Sequence, residues 1–210
     1  MTPPLPPLLP LRLGFLASHN GSGMRAVVEA CAAGRLAAAP CLVISNNADS
    51  AALTWAAAHG LATRHLSGRT CAGPDALDAA IAGALDAARV SLVVMSGYMR
   101  KLGPRTLARY RRRMINIHPS LLPRHGGQGM YGSRVHQAVI EAGDRESGAT
   151  VHLVDAEYDQ GPVLARARVP VPEGDDAAAL EQRVRAIEPD LLVDTLRRIA
   201  AGAIDLERAA

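Results

Sequence analysis

Leu11-Arg12-Leu13-Gly14-Phe15-Leu16-Ala17, then Ser18-His19-Asn20-Gly21-Ser22-Gly23, then Met24-Arg25-Ala26-Val27-Val28-Glu29-Ala30-Cys31-Ala32-Ala33 is the stretch whose reading decides the architecture. A short apolar run, a loop with two glycines and a segment carrying Ala, Val and Glu read as strand, tight loop and helix. The same order recurs downstream. Residues 41–45 read as a buried strand, 50–59 as a helix with Ser50 as its N-cap, 63–66 as a strand, 74–88 as a helix and 91–96 as a strand. Residues 114–118 form a further strand running into the loop bounded by Pro119 and Pro123. Past the Gly-rich segment 126–132 come a helix over 133–142, strands over 149–154 and 163–171 separated by an acidic loop, and a helix over 176–200. Pro189 falls inside that last helix and predicts a kink or a division there, because proline has no N–H to give and its ring meets the preceding turn. Apolar strands alternating with helices are the pattern of a parallel sheet covered on both faces. The expected fold is therefore α/β, a doubly wound, mostly parallel sheet in a single domain over residues 11–210.

Composition narrows the class. At 210 residues and 49% hydrophobic the chain can bury a core, and with aromatics at 3% that core must be Leu, Val, Ile, Met and Ala. The net charge is +3, and much of the basic excess lies in Arg105, Arg109, Arg111, Arg112 and Arg113. A nucleic-acid surface interleaves such charge with stacking aromatics, and only Tyr110 is nearby, so this stretch reads as a solvated helix end and no nucleic-acid partner is expected. Cys31, Cys41 and Cys71 are odd in number and contain no C-x-x-C pair, which suggests neither a disulfide framework nor a zinc knuckle and fits a reducing cytoplasm. Residues 1–10 hold five prolines and no basic residue; they do not match a signal peptide and are expected to form a flexible, extended arm. No apolar run is long enough to span a bilayer, so no membrane association is expected.

Two places carry chemistry. Asn20-Gly21-Ser22-Gly23 joins a strand to a helix start, where free N–H groups and the helix dipole favour an anion such as phosphate. Taken alone the loop is better explained as a plain turn, since it is neither G-x-x-x-x-G-K-[ST] nor G-x-G-x-x-G. The second place is Asn116-Ile117-His118-Pro119-Ser120-Leu121-Leu122-Pro123, where strand alternation puts Asn116 and His118 on one face at the carboxyl edge of the sheet. Asp159 follows in the loop Asp155-Ala156-Glu157-Tyr158-Asp159-Gln160-Gly161-Pro162, after the strand that bears His152. An amide donor, a titratable imidazole and a carboxylate are what acyl transfer to an amine needs. Two readings of His152 stand side by side, a satisfied core histidine and a supporting group of the site; Asp155 and Glu157 also read as solvated loop charges.

The runs N-I-H-P-S-L-L-P at 116–123, S-G-A-T-V-H-L-V-D at 147–155 and Y-D-Q-G-P-V at 158–163 resemble the folate-dependent formyltransferases. S-H-N-G-S-G-M at 18–24, V-I-S-N-N-A-D at 43–49, S-G-Y-M-R at 96–100 and V-P-V at 169–171 agree, and the likeness extends over about residues 11–204. The resemblance implies a Rossmann-like formyltransferase fold with Asn116, His118 and Asp159 as the catalytic trio and Ser120 and His152 in support. It places Gly21, Ser22 and Gly23 at the substrate phosphate and Glu188 at the ribose. Met99, Arg100, Lys101 and Asn116 would meet the folate, and the loop from Val154 to Asp159, with Val154 and Asp155 binding it, would wall its other side.

The function implied is formyl transfer from 10-formyltetrahydrofolate to the amine of glycinamide ribonucleotide in de novo purine biosynthesis, with another small amine as the alternative. Small-molecule substrates, no metal, a monomer or homodimer and a cytoplasmic location go with it. Asn116 and a protonated His118 would donate to the oxyanion, and Asp159 would keep His118 cationic and relay the proton. Related hydrolases carry a regulatory domain before the catalytic one, and the tRNA-directed enzymes a further C-terminal domain; the residues flanking 11–204 are too few for either. Three positions depart from the family pattern, all on the acceptor side: Gly23 replaces a usual Asn, Arg185 stands where some members have Gln, and Glu188-Pro189 replaces a frequent Glu-His pair. Arg185 is expected to pair with Glu188 at the three-residue helical spacing.

Overall fold

The computed structural model describes residues 9–209. Most of the expected arm, residues 1–8, lies outside them. In chain order the elements are β1 (Leu11–Leu16), α1 (Ser22–Ala32), β2 (Ala38–Ser45), α2 (Ala51–Ala58), β3 (Ala62–His65), α3 (Pro74–Ala87), β4 (Leu92–Met95), α4 (Pro104–Arg109), β5 (Met114–His118), α5 (Ser133–Glu141), β6 (Glu146–Leu153), β7 (Val163–Pro170) and α6 (Ala177–Ala200). The fold is α/β, with one seven-stranded, mostly parallel sheet in the order β3-β2-β1-β4-β5-β6-β7. By compactness the chain divides into two units, Met1–Ile115 and Asn116–Ala210.

In the first unit β1 pairs in parallel with β2 on one side and β4 on the other, and β2 pairs in parallel with β3. The order of strands thus reverses beside β1, and the loops that follow β1 and β4 open at that switch, where doubly wound sheets bind ligands. Every residue of β4 is buried, as is Phe15 on β1, the pattern of parallel strands covered on both faces. Gly14 lets the helical layer approach β1: a Cβ there would lie 2.8 Å from both Leu85 Cδ2 and Val90 Cγ2. Helix α3 buries Asp78, Ile81, Ala82 and Leu85, a stripe at helical spacing.

Helix α4 and its arginines are better anchored than the sequence suggests. Gly103 supplies no side-chain cap. Instead the buried carboxylate of Asp78 accepts from the amides of Arg105 (2.7 Å) and Thr106 (3.0 Å) and from the Thr106 hydroxyl (2.5 Å). Arg109 donates to both oxygens of Asp86 at 3.0 Å, and the fully buried Tyr110 donates its hydroxyl to the same carboxylate. The expectation of a solvated helix end holds for Arg105 and Arg111, which are exposed, and is corrected for Arg109.

In the second unit β6 and β7 form an antiparallel ladder from Glu146↔Pro170 to His152↔Val163. Val139 of α5, Ala149 of β6, Val169 of β7 and Leu180 and Val184 of α6 form its core. Helix α6 runs unbroken for 24 residues with Pro189 inside it, so the expected division does not occur. The Asp176 side chain caps its start by accepting from the Ala179 amide, and buried residues lie on both sides of the proline, Leu180 and Val184 before it and Leu192, Leu196 and Ile199 after it. Packing of both halves outweighs the single hydrogen bond that Pro189 cannot give.

Asp78→Ala strands two first-turn amides of α4 in a buried setting, and the expected cost is about 1–3 kcal/mol. A urea titration should show a lower midpoint with unchanged slope; a midpoint equal to wild type would mean that α4 does not depend on this carboxylate.

Candidate active site

The loop that follows β5 is tied to both strands of the neighbouring ladder. The Thr150 hydroxyl on β6 donates to the Ser120 carbonyl (2.7 Å) and accepts from the Leu122 amide (3.1 Å), and Arg166 on β7 donates to the Leu122 carbonyl (2.8 Å). The fully buried Ser120 closes the loop on itself, its hydroxyl donating to the Arg124 carbonyl at 2.6 Å. The second loop is shaped by Gly161, where a Cβ would lie 1.9 Å from the Leu153 carbonyl oxygen. That close approach, together with the left-handed backbone of Asp159 (φ 57°), turns the Asp159 carboxylate inward.

Asp159, His118, His152 and Asn116 converge there. Asp159 Oδ2 accepts from the Gly127 amide (2.9 Å) and lies 3.4 Å from His118 Nδ1, while its Oδ1 lies 3.5 Å from His152 Nε2. His118 and His152 are 4% and 2% exposed and Asp159 is 11% exposed. The other nitrogen of each ring faces a main-chain carbonyl: His118 Nε2 lies 2.9 Å from His125 O, and His152 Nδ1 lies 2.8 Å from Leu153 O. A carbonyl only accepts, so His118 carries its fixed proton on Nε2 and His152 on Nδ1. His152 Nε2 is then free to accept from Asn116 Nδ2 (3.1 Å), and Asn116 keeps a second N–H.

Burial is the largest influence on His118 and lowers its pKa below the ordinary histidine value. Asp159 and the His125 carbonyl work in the opposite direction, and His152 and His125 add to the lowering. Asp159 is depressed overall. Burial alone would raise it, but the imidazoles of His152 and His118 when protonated, with the Gly127 amide, together prevail. Asp159 therefore stays ionised, and the mobile proton of the couple belongs to His118 Nδ1. Asp159 favours the cationic form of His118, as expected, while burial is the larger influence on the ring.

Both readings of His152 hold: it is a buried histidine with satisfied ring nitrogens, and it touches Asn116 and approaches Asp159. Val154 is half-buried, and the exposed Asp155 accepts from the Glu157 amide in a local turn. Glu188 is half-buried and raised to about 7, chiefly by burial, with Arg185 lowering it and Glu181 raising it. The expected Arg185–Glu188 pair is corrected. Arg185 Nη2 meets Glu181 Oε1 at 2.5 Å, because side chains on a helix lean toward its N-terminus and an acid four residues ahead of a base is the better-oriented pair. His136, buried nearby on α5, is lowered by burial, feels Glu181 and Arg185, and has no hydrogen-bond partner for Nδ1.

In the first unit Gly21 takes a left-handed conformation (φ 60°) as the N-cap of α1, without a side-chain cap. The third amide of the helix, Met24 N, donates to Ser96 Oγ (3.2 Å), and the amides of Ser22 and Gly23 lie in the first turn, where a helix offers its N–H groups no internal partner. Ser18 joins three loops: its hydroxyl accepts from the Met99 amide (2.8 Å) and donates to Asn46 Oδ1 (2.6 Å), and its carbonyl accepts from Asn47 Nδ2 (2.6 Å). Met99 and Arg100 are exposed, as is Lys101. Sequence reasoning assigned no role to Ser18, Ser96, His125 or Gly127. The first two lie inside recognised runs, whereas His125 and Gly127 act through the main chain and leave no signature.

A buried carboxylate facing two imidazoles, with an amide donor beside them on a doubly wound α/β scaffold, defines an enzyme of acyl-group transfer coupled to proton transfer. The family model for formyl transferases matches residues 11–196, and the chain belongs to that family. It is similar to the phosphoribosylglycinamide formyltransferases of Mycobacterium tuberculosis, at 36% identity over 95% of this chain and 90% of that one, and of Escherichia coli, at 35% over 85% and 82%. Among solved structures, glycinamide ribonucleotide transformylase 1 from Symbiobacterium toebii aligns with a TM-score of 0.87 at 35% identity, covering 95% of this chain and 92% of that one. Among the described residues no cluster of His, Cys, Asp and Glu is placed to hold a metal ion, and no helix is long and apolar enough to cross a membrane.

Glu188 yields a pH prediction. Its pKa rises from 4.5 to about 7 on folding, so the folded chain holds this proton more tightly than the unfolded one. The stabilisation is complete below the unfolded value and is lost as pH rises through the folded one. Glu188→Gln should therefore gain Tm relative to wild type between about pH 5 and about pH 8. A Tm difference that does not change with pH would contradict the burial of this carboxyl.

Proposed function

We propose that this formyltransferase moves the formyl group of 10-formyltetrahydrofolate to the primary amine of glycinamide ribonucleotide, a step of de novo purine biosynthesis. The observation that carries the reading is the convergence of Asn116, His118, His152 and Asp159. The names and lengths of the relatives support the acceptor.

The neutral amine attacks the formyl carbon, and negative charge develops on the formyl oxygen. Asn116 meets it with the Nδ2–H that His152 leaves free, since His152 takes the other. His118 can contribute only through Nδ1, because Nε2 is committed to His125 O. In the protonated ring the Nδ1–H lies 3.4 Å from Asp159, longer than an ordinary hydrogen bond, and is available to the oxyanion without the loss of a tight contact. Asp159, ionised, takes the proton from the attacking nitrogen directly or through water. The C–N bond to the folate then breaks, and that nitrogen receives the proton. Mass and charge balance without a further reactant.

The remaining roles rest on the same reading. The amides of Ser22 and Gly23, with Gly21 shaping the turn, bind phosphate at the start of α1. Glu188 bonds the ribose hydroxyls, and with its pKa raised to about 7 its protonated form can both donate and accept. Met99, Arg100 and Lys101 meet the folate, with Val154 and Asp155 on the loop that carries Asp159. The free cysteines Cys31, Cys41 and Cys71 fit a reducing cytoplasm.

Amines offered with 10-formyltetrahydrofolate test the acceptor: formylated glycinamide ribonucleotide should form together with tetrahydrofolate. Efficient formylation of a different amine, with none of this product, would overturn the purine-pathway reading. His118→Ala and Asp159→Asn should each reduce turnover by roughly 10²–10⁴-fold, with Tm within a few degrees of wild type. Near-normal turnover in both variants would remove these residues from the mechanism. Arg185→Gln, which breaks the pair with Glu181 and not a substrate contact, should change KM for the acceptor by no more than about threefold; loss of turnover would place Arg185 on the substrate.

A further inference from the structure

His118 works through one nitrogen because the other is held by the His125 carbonyl, and that carbonyl sits at an unfavourable point of the chain. His125 has a left-handed backbone (φ 52°), uncommon for a residue with a Cβ, so something outside the local sequence must hold it. The side chain shows what does: His125 Nε2 lies 2.7 Å from Asp144 Oδ2. Both groups are largely shielded, at 15% and 9% exposed. Asp144 is itself anchored just past α5, where Gly143 turns left-handed (φ 66°) and the Asp144 amide donates to the Val139 carbonyl. Arg124 also meets Asp144, but at 65% exposed its pairing is open to solvent and contributes little.

We propose that Asp144 is a positioning residue: by clamping the His125 side chain it fixes the carbonyl that receives His118 Nε2–H, and so makes Nδ1, the nitrogen facing Asp159, the atom that titrates. The proposal rests on the formyl-transfer reading only for its kinetic readout. Without the clamp the carbonyl moves, and the neutral ring is free to carry its proton on Nδ1, where it can no longer accept one. The groups that bear on the charge of His118 are Asp159, His152, His125 and, from α5, His136. The carbonyl hydrogen bond favours the cation, so its loss lowers the His118 pKa further.

The test uses the full chain and the variants Asp144→Ala, Asp144→Asn, His125→Asn and Arg124→Ala. Nitrogen-15 NMR of the imidazoles, in the enzyme without substrates, should show His118 as the Nε2–H tautomer in wild type, Asp144→Asn and Arg124→Ala, and as a mixture in Asp144→Ala and His125→Asn. Asparagine still accepts from His125, and at position 125 it tolerates the left-handed backbone but is too short to hold Asp144. In kinetics, Asp144→Ala should lower kcat by roughly 10- to 100-fold with KM for both substrates nearly unchanged, and move the His118 limb of the kcat profile to lower pH. Asp144→Asn should restore most of the loss. An unchanged tautomer and pH limb in folded Asp144→Ala would overturn the proposal, as would an equal effect from Arg124→Ala. If Asp144→Ala does not fold, His125→Asn decides by the same criteria. A wild-type protein that transfers no formyl group would sink the functional reading and leave the tautomer measurement to judge the clamp.

Discussion

Asp159 carries a negative charge into a place where little water reaches, and the second unit is organised around keeping that charge compensated. An ionised carboxylate at 11% exposure is tolerable only with donors or cations close by. The Gly127 amide is the standing donor, and His152 and His118, each facing the carboxylate with the nitrogen that has no fixed proton, join it when they are protonated. Each has a constraint of its own. Gly126, beside the Gly127 amide, leaves space that the Leu122 side chain fills, a Cβ there lying 2.4 Å from Leu122 Cδ2; His152 is oriented by the Leu153 carbonyl, and His118 by the His125 carbonyl. Main-chain carbonyls thus fix both tautomers, and an imidazole with a fixed tautomer has one nitrogen left for chemistry.

The first unit solves a different problem by similar means. Loops at a switch point must present backbone amides to a ligand while remaining rigid, and here small hydroxyls hold them. Ser96 occupies the third amide of α1, and Ser18 links the loops after β1, β2 and β4. Both serines are buried, so their hydrogen bonds do not compete with water and the penalty for losing a partner is high. The two amides left at the start of α1 are presented by the regular helix and need no further device.

The sheet was legible because its strands are short apolar runs punctuated by Gly, Ser and Asn, and β5 and α3 begin where the pattern says. Ser50 caps α2 as its position before an Ala-rich run implies. Helix α4 was not legible, since its first-turn amides at Arg105 and Thr106 are capped by Asp78, 27 and 28 residues earlier, and no local pattern encodes a contact across that separation. The continuity of α6 through Pro189 was hidden for a related reason: the proline penalty is local, while the packing that overcomes it belongs to residues on both flanks. At the site, side-chain chemistry was readable and main-chain chemistry was not. Asn116, His118 and Asp159 announce themselves by type and place, whereas the acceptor on His118 is a carbonyl, which every residue has.

The departures on α6 can be understood together. Arg185 places a guanidinium one turn from the Glu188 carboxyl, but Glu181 captures it at 2.5 Å, and among the described residues Glu188 has no direct ion pair. Burial then dominates Glu188 and brings its proton equilibrium near neutrality. Pro189 acts on the same turn, because its nitrogen cannot donate to the Arg185 carbonyl four residues earlier. A neutral carboxyl can donate one hydrogen bond and accept others, which suits adjacent hydroxyls, whereas an ionised one only accepts. On the proposed reading, in which Glu188 bonds the acceptor's ribose, affinity for the acceptor should depend more on pH than with a carboxyl held ionised by a paired cation.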